Sequence, residues 1–354
     1  VTITKIPLTL LGTQPAEKDG HRFTYVAANN AIELVSSTDA VFSIPDGGGS
    51  SGPYAYGTVE GYALGASIPT APLYRIDTVQ TISFTSDISA VDTAELTYAQ
   101  SQGCGVSSET TGYTLGGYTS NSPGIGDNDV IQKYTFSSST ASVSTATLSG
   151  NRIQTGPTGS MSTTNGYVAG GSPNIDIIEK IAFATDTNGV DIGELIAGKS
   201  DTAQISSDIF GYVAGGASPS VETLQKYPFT SDSPAIDIGE LAWQYVRTAS
   251  GHSSATNGYT AGGQGAIYSA AANDVITKFT YSSDSPATDI AELAIARAQA
   301  GSLSSSTFGY VAGSPYPGFT STDSIEKFSF SSDSSGVDIA ELVIATFSFA
   351  GAQT

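Results

Sequence analysis

The chain has 354 residues and a formal net charge of −20, from 33 acidic against 13 basic residues. Phosphate binding needs clustered Lys and Arg, so this balance argues against nucleic acid and disfavours an anionic membrane surface. A charged fraction of 13% lies outside the highly charged disordered class, 14 Phe and 18 Tyr can supply a core, and the single cysteine, Cys104, excludes an internal disulfide. No apolar run approaches the roughly 20 residues that span a bilayer, which predicts no membrane insertion. No signal-peptide pattern follows Val1.

The first 46 residues carry no repeat. "VTITKIPLTL" alternates like a strand, and "FTYVAANNAIELV" at 23–35 reads as a hairpin around Asn29-Asn30, a turn-friendly pair. "DGGGSSG" at 46–52 reads as a flexible joint. The expected organisation is an N-terminal attachment arm at 1–46, a Gly/Ser linker at 47–52, and a repeat domain at 53–354. A competing arrangement gives residues 21–46 to a seventh blade.

From residue 61 one word returns six times. It starts at Gly61, Gly112, Gly166, Gly211, Gly258 and Gly309, and reads "GYVAGG" in the third and fourth copies. Successive starts are 51, 54, 45, 47 and 51 residues apart. Such a period signals a repeat architecture of small strand units. A second word comes next in each unit, as in "VIQKYTF" at 130–136 and "SIEKFSF" at 324–330, with the near-alternation of a short strand. A third word, Asp-x-x-Glu-Leu, starts at Asp92, Asp191, Asp237, Asp289 and Asp338; the second unit has "STATLSGNR" instead. It matches a helix capping box, but the stretch after it is short and β-branched, so a turn feeding a strand is preferred. A fourth stretch, such as "AQAGSLSSSTFGY" at 298–310, precedes the next Gly-Tyr.

Four short strands per unit, six units and no helical period predict an all-β fold: a six-bladed β-propeller of four-stranded antiparallel blades with a short β-rich N-terminal arm. The Gly pair is expected where strands crowd at the central axis, and the Tyr between blades. "FAGAQT" at 349–354 matches the first strand of the sixth unit, while the first unit lacks one. The C-terminal strand is therefore expected to complete the first blade, which removes both open sheet edges.

The Gly-Tyr and Gly-Gly residues resemble kelch-type propeller repeats over roughly residues 55–354. The kelch Trp is mostly missing, Trp243 being the only one, whereas its basic residue survives as Arg152, Lys199, Arg247 and Arg297.

Nine of the 13 basic residues fall at repeat positions: those four, with Lys133, Lys180, Lys226, Lys278 and Lys327. Charges that recur in nearly every blade read as scaffold, in exposed pairs worth about 0–1 kcal/mol each. The pairs Asp232/Asp237, Asp284/Asp289 and Asp333/Asp338 suit either Asx turns or calcium, with turns preferred; neither an EF-hand nor a glycine-rich nonapeptide is present. No metal site and no cofactor is expected. The catalytic inventory is thin. His21 and His252 are far apart, Cys104 has no Cys-x-x-Cys partner, and no Gly-x-Ser-x-Gly elbow occurs. His252 stands where the sixth blade has Leu303, which reads as a strand substitution. A non-enzymatic protein is expected. A propeller hydrolase or oxidase is the alternative, and a metal or a carboxylate pair in the axial funnel would favour it.

Specificity should lie in what is not repeated. The segments 66–78, 118–129, 172–176, 217–220, 264–274 and 314–324 all join second to third strands and share one face with the inter-blade links. The longest belong to neighbouring blades and bring Tyr74, Tyr118, Tyr268, Tyr316 and Phe319 to one arc, as candidate ligand- or partner-binding residues.

Residues 258–346, with "GYTAGG", "SDSPATDIAEL", "AR" and "SIEKFSF", resemble repeats in virion structural proteins of tailed bacteriophages, marine ones in particular. That resemblance implies a tail-fibre, tail-tip or capsid-decoration role on an extracellular particle. Its implied partners are other virion proteins through the arm and a host-surface glycan or receptor through the loops, with room for a homo-oligomer. A secreted lectin-like glycan-binding module is the remaining alternative.

Overall fold

The computed structural model describes residues 57–354 except 70–73, 120–125, 186, 218–221, 243–246, 266–271 and 316–320; before residue 57 it describes four strands. The chain divides into two compact units, Val1–Gly52 and Pro53–Thr354. In the first, Glu17–Lys18, His21–Val26, Ala31–Val35 and Val41–Pro45 form an antiparallel meander. Val26 pairs with Ala31, so the strands flanking Asn29-Asn30 form the expected hairpin. The strand expected at residues 1–10 lies outside the described residues.

The second unit is a six-bladed β-propeller of four-stranded antiparallel blades. Blade 4 is representative: Ala203–Ser206 is innermost, followed by Phe210–Ala214, Thr223–Pro228 and the outer strand Ile236–Glu240. Blade 1 takes its inner strand from Ala350–Gln353, which pairs antiparallel with Glu60–Ile68. Six blades thus close the ring without residues 21–46, so the seventh-blade arrangement does not hold. The Asp-x-x-Glu word lies within outer strands such as Val190–Glu194 and Val337–Thr346, and its Leu (Leu96, Leu195, Leu241, Leu293, Leu342) is buried.

The core lies between blades. Each repeated Tyr stacks on an aromatic ring of the next blade: Tyr62 on Phe136, Tyr113 on Phe183, Tyr167 on Phe229, Tyr212 on Tyr281, Tyr259 on Phe330 and Tyr310 on Phe84. Centroids are 4.5–5.1 Å apart and ring planes 18–25° from parallel. Each such stack contributes about 0.5–1.5 kcal/mol beyond its buried area.

The repeated Gly pair serves a place other than the one expected. In blades 2, 3 and 5 its first glycine has φ between 63° and 74°, and a Cβ there would strike the carbonyl of the link to the next blade. The second donates its N–H to that carbonyl: Gly117 to Arg152, Gly171 to Lys199, Gly263 to Arg297. Left-handed backbone at this spot favours glycine. The glycines that crowd the axis are instead Gly105, Gly251 and Gly351, on inner strands; a Cβ on any of them would meet a neighbouring inner strand's backbone.

Candidate functional site

Just before each inner strand, one residue lies in the left-handed region: Gln102, Gln154, Asp201, Thr248, Gln299 and Ser348, with φ between 55° and 59°. Their backbones form a closed cycle around the axis. Gln154 N–H donates to the Gln102 carbonyl, Asp201 to Gln154, Thr248 to Asp201, Gln299 to Thr248, Ser348 to Gln299 and Gln102 to Ser348, over 2.6–3.1 Å. A left-handed non-glycine residue costs about 1–2 kcal/mol; here the cycle supplies a hydrogen bond at each position.

The six residues line a largely apolar cup on the axis of ≈ 40 Å³, together with Gly156, Pro157, Ala300 and Phe349. It opens on the face of the second-to-third-strand loops, because the left-handed residues and those loops sit at the same ends of their strands: Tyr118 pairs with Ser101, beside Gln102.

Blade 3 closes the cup. Elsewhere five positions separate the left-handed residue from the end of the inner strand, as from Asp201 to Ser206; from Gln154 to Met161 there are seven. The extra length places Gly156-Pro157-Thr158 across the axis. The Pro157 carbonyl accepts from Gly105 N–H at 3.2 Å and Gly351 N–H at 2.8 Å. The Thr158 hydroxyl lies 3.2 Å from that of Ser302 in the opposite blade. Beyond this plug a second, ≈ 10 Å³ cavity is lined by Ser206, Ser253, Ser304 and Gln353, room for about one water. The same residues join neighbouring blades. Met161 N–H donates to Ser206 Oγ, Ser206 N–H to Ser253 Oγ, Ser253 N–H to Ser304 Oγ, Ser304 N–H to Gln353 Oε1 and Gln353 N–H to Ser107 Oγ, over 2.8–3.3 Å.

Asp201 is the acidic residue of the cup. Burial pushes its carboxyl up to about 6, against a downward pull from the Arg247 charge. Among the described residues the carboxylate accepts no hydrogen bond. Thr248, next in the cycle, is nine-tenths buried, and its hydroxyl likewise meets no partner among them.

The repeated charges hold blades together, but not all at the surface. Lys180–Asp232, Lys226–Asp284, Lys278–Asp333 and Lys327–Asp87 are part-exposed pairs linking blades 3, 4, 5 and 6 each to the one that follows. Three of these aspartates are those weighed for calcium; Asp191 and Asp237 accept the N–H groups of Gly193 and Gly239 within their own outer strands. Arg152–Glu179 and Arg297–Glu326, in contrast, are fully buried. Their acid occupies a third-strand position that accepts N–H groups from the previous blade's outgoing chain: Ser149 bonds Glu179, and Ala294 and Ile295 bond Glu326. Gln80, Gln132 and Gln225 do the same elsewhere. Arginine is buried where this position is Glu. Lys199, facing Gln225, bonds Thr223 and the Gly215 carbonyl, and burial lowers its amine to about 8. Blade 5 has Thr277 at the position, so Arg247 finds no acid there.

Of the candidate residues, Tyr118 is half-buried beneath the Arg75 guanidinium, 3.8 Å from its ring centroid, and this joins the loop ends of blades 1 and 2. Tyr74 begins a third strand opposite Ile68. Tyr268, Tyr316 and Phe319 lie outside the described residues. His252 is a core residue: its Nδ1 meets the Leu303 carbonyl at 3.0 Å and its ring abuts Phe328 edge-on. Burial lowers it to about 4. The folded state thus holds fewer protons between pH 6.5 and 4, and stability conferred by the neutral ring is lost as pH falls through that window, up to about 3 kcal/mol. Asp201, shifted upward, works in the opposite sense as pH falls through 6. Urea titrations from pH 7 to 4 should therefore show His252→Leu losing less stability on acidification than the native chain; equal losses would refute the assignment.

The cup had a signal in the repeat. Aligned on the serine that ends the inner strand, "QGCGVS", "DTAQIS", "TASGHS" and "QAGSLS" each begin with a polar residue, and "QTGPTGSM" reveals the insertion.

No protein-family model matches the chain, and no curated protein matches it. Among solved structures it is similar to YjhT, with a TM-score of 0.60 at 13% identity, over 77% of this chain and 96% of that one. At that identity the likeness concerns the fold.

Proposed function

We propose that this chain is a non-enzymatic virion protein, of a tail fibre, tail tip or capsid decoration, built on kelch-like repeats. Its N-terminal unit attaches it to the particle, and the loop face of the propeller recognises a host surface or another virion protein. One observation carries the recognition part. The repeated aromatic and charged side chains are engaged between blades, whereas the variable loops and the cup share one face. The virion part rests on the repeat resemblance. The test is mass spectrometry and cryo-electron microscopy of purified source particles, followed by adsorption assays with the full chain as competitor. The chain should be a stoichiometric particle component, and excess free protein should slow adsorption. Its absence from washed particles would refute the reading.

A further inference from the structure

We propose that the face opposite the variable loops holds an extended peptide segment of a partner protein, in the pocket between blades 4 and 5, with a basic residue of that segment meeting Asp208. This goes beyond the recognition reading and does not depend on it.

The propeller already holds its own chain in this way at blade 6. The turn at 305–308, between first and second strands, carries Gly57 beside it in a parallel bridge to Ser305. Gly57 N–H donates to the Ser304 carbonyl at 2.6 Å, and Ser306 N–H donates to the Gly57 carbonyl at 3.0 Å. Gly57 fits between this turn and Phe84 of blade 1, whose ring a Cβ on it would strike.

Blade 4 repeats the turn, at 207–210, with no chain upon it. Ser207 Oγ accepts Phe210 N–H at 3.1 Å, as Ser305 Oγ accepts Phe308 N–H at 2.9 Å. Phe210 abuts Tyr212 edge-on, as Phe308 abuts Tyr310. Lys226 and Lys327 place their ammonium groups 4.8 and 4.9 Å from the centres of these Phe rings. Tyr281 stacks on Tyr212 as Phe84 stacks on Tyr310. Where blade 6 has Gly57, between turn and stacked ring, blade 4 has a largely apolar pocket of ≈ 290 Å³ lined by Ile209, Phe210 and Tyr281, with Asp208 and Thr256. Asp208 N–H, the counterpart of the Ser306 donor, meets no partner among the described residues. Extended peptides dock through such backbone bonds, and pockets beside them select side chains.

The differences from blade 6 define the occupant. Asp208 and Ile209, both exposed, stand in place of Ser306 and Thr307. Asp232, Asp284, Asp333 and Asp87 each pair with a lysine of the preceding blade, whereas the Asp208 carboxylate meets no cation among the described residues. On a chain of net charge −20, a carboxylate without a counter-ion beside an apolar pocket complements a basic residue next to an apolar one. Tyr281 also brings a hydroxyl that Phe84 lacks. It donates to the Ser206 carbonyl at 2.7 Å, the counterpart of the Ser304 carbonyl that takes Gly57 N–H. The segment at blade 4 is therefore held by one of the two backbone bonds that hold Gly57.

Amide NMR titrations of the full chain test this with acetyl-Thr-Leu-Lys-Leu-Thr-amide and with the same peptide carrying Asp for Lys. The Lys peptide should shift the Asp208, Ile209 and Ser282 amide resonances and bind about fivefold tighter than the Asp peptide. Asp208→Asn should remove that preference, and Ile209→Ser should weaken the Lys peptide severalfold. Tyr281→Phe installs the residue that the other five blades have at this place. It frees the Ser206 carbonyl for a second backbone bond, so it should tighten binding severalfold. Urea melts on each variant confirm that the fold is kept. Unmoved resonances, equal binding of the two peptides, or looser binding by the Tyr281→Phe chain would each overturn the proposal. So would a native chain that sediments as a dimer and returns to monomer with Ile209→Ser, because the pocket would then belong to a second copy.

Discussion

Replacing Glu326 by Ala should destabilise the propeller by about 3–5 kcal/mol, read from urea melts at pH 7. Arg297 is 1% exposed and reaches Glu326 through Nε at 3.1 Å and Nη2 at 2.7 Å. Its remaining donors go to the Gly313 carbonyl and to the carbonyl and hydroxyl of Ser324. Without the carboxylate, a guanidinium stays buried and uncompensated, and the Ala294 and Ile295 N–H groups lose their acceptor. Lys278→Ala, which breaks the part-exposed pair with Asp333, should cost no more than about 1 kcal/mol. Arg297→Met with Glu326→Leu should recover much of the single-variant loss, because a matched apolar pair removes both desolvation penalties. Similar costs at the two pairs would show that burial is not what makes the inner one matter.

Deleting residues 349–354 should abolish the cooperative monomeric unfolding transition. Phe349 is fully buried, and Ala350–Gln353 forms the inner strand of blade 1. The same residues supply Gly351 N–H to the plug and link Ser304 to Ser107 through Gln353. Removing them opens Glu60–Ile68 as an unpaired edge, a template for association. Size-exclusion chromatography should find dimers and larger species. Gly351→Ala tests the axis alone, because its Cβ would overlap the Ser302 carbonyl, and should lower stability in a chain that stays monomeric. A truncated chain that melts cooperatively as a monomer would refute the role given to closure.

Much of the fold was legible because the repeated Tyr does the same work six times. The Tyr of the Gly-Tyr word faces an aromatic ring at every junction, so the words alone located the interfaces between blades. The place of the glycine pair was misread, since a string of residues does not distinguish crowding at the axis from crowding at a link. Whether a recurring charge is buried was equally hidden. Arg247 and Arg297 look alike in sequence, and their difference lies in Thr277 and Glu326, 30 and 29 residues downstream. The cup escaped notice because its residues are unremarkable singly: Gln, Asp, Thr and Ser become a site only when six left-handed turns bring them around one axis.

The plug also bears on heredity. Arrays of similar repeats gain and lose copies when recombination misaligns them. Here the segment around Pro157 must reach Gly105 on one side and Gly351 on the other, while Thr158 reaches Ser302 opposite. A ring of seven would widen the axis beyond that reach, and a ring of five would leave no space for the insertion. A chain that gained or lost one unit would thus forfeit the contacts that seal its centre. Two extra residues in a single repeat thus fit the central seal to a ring of six.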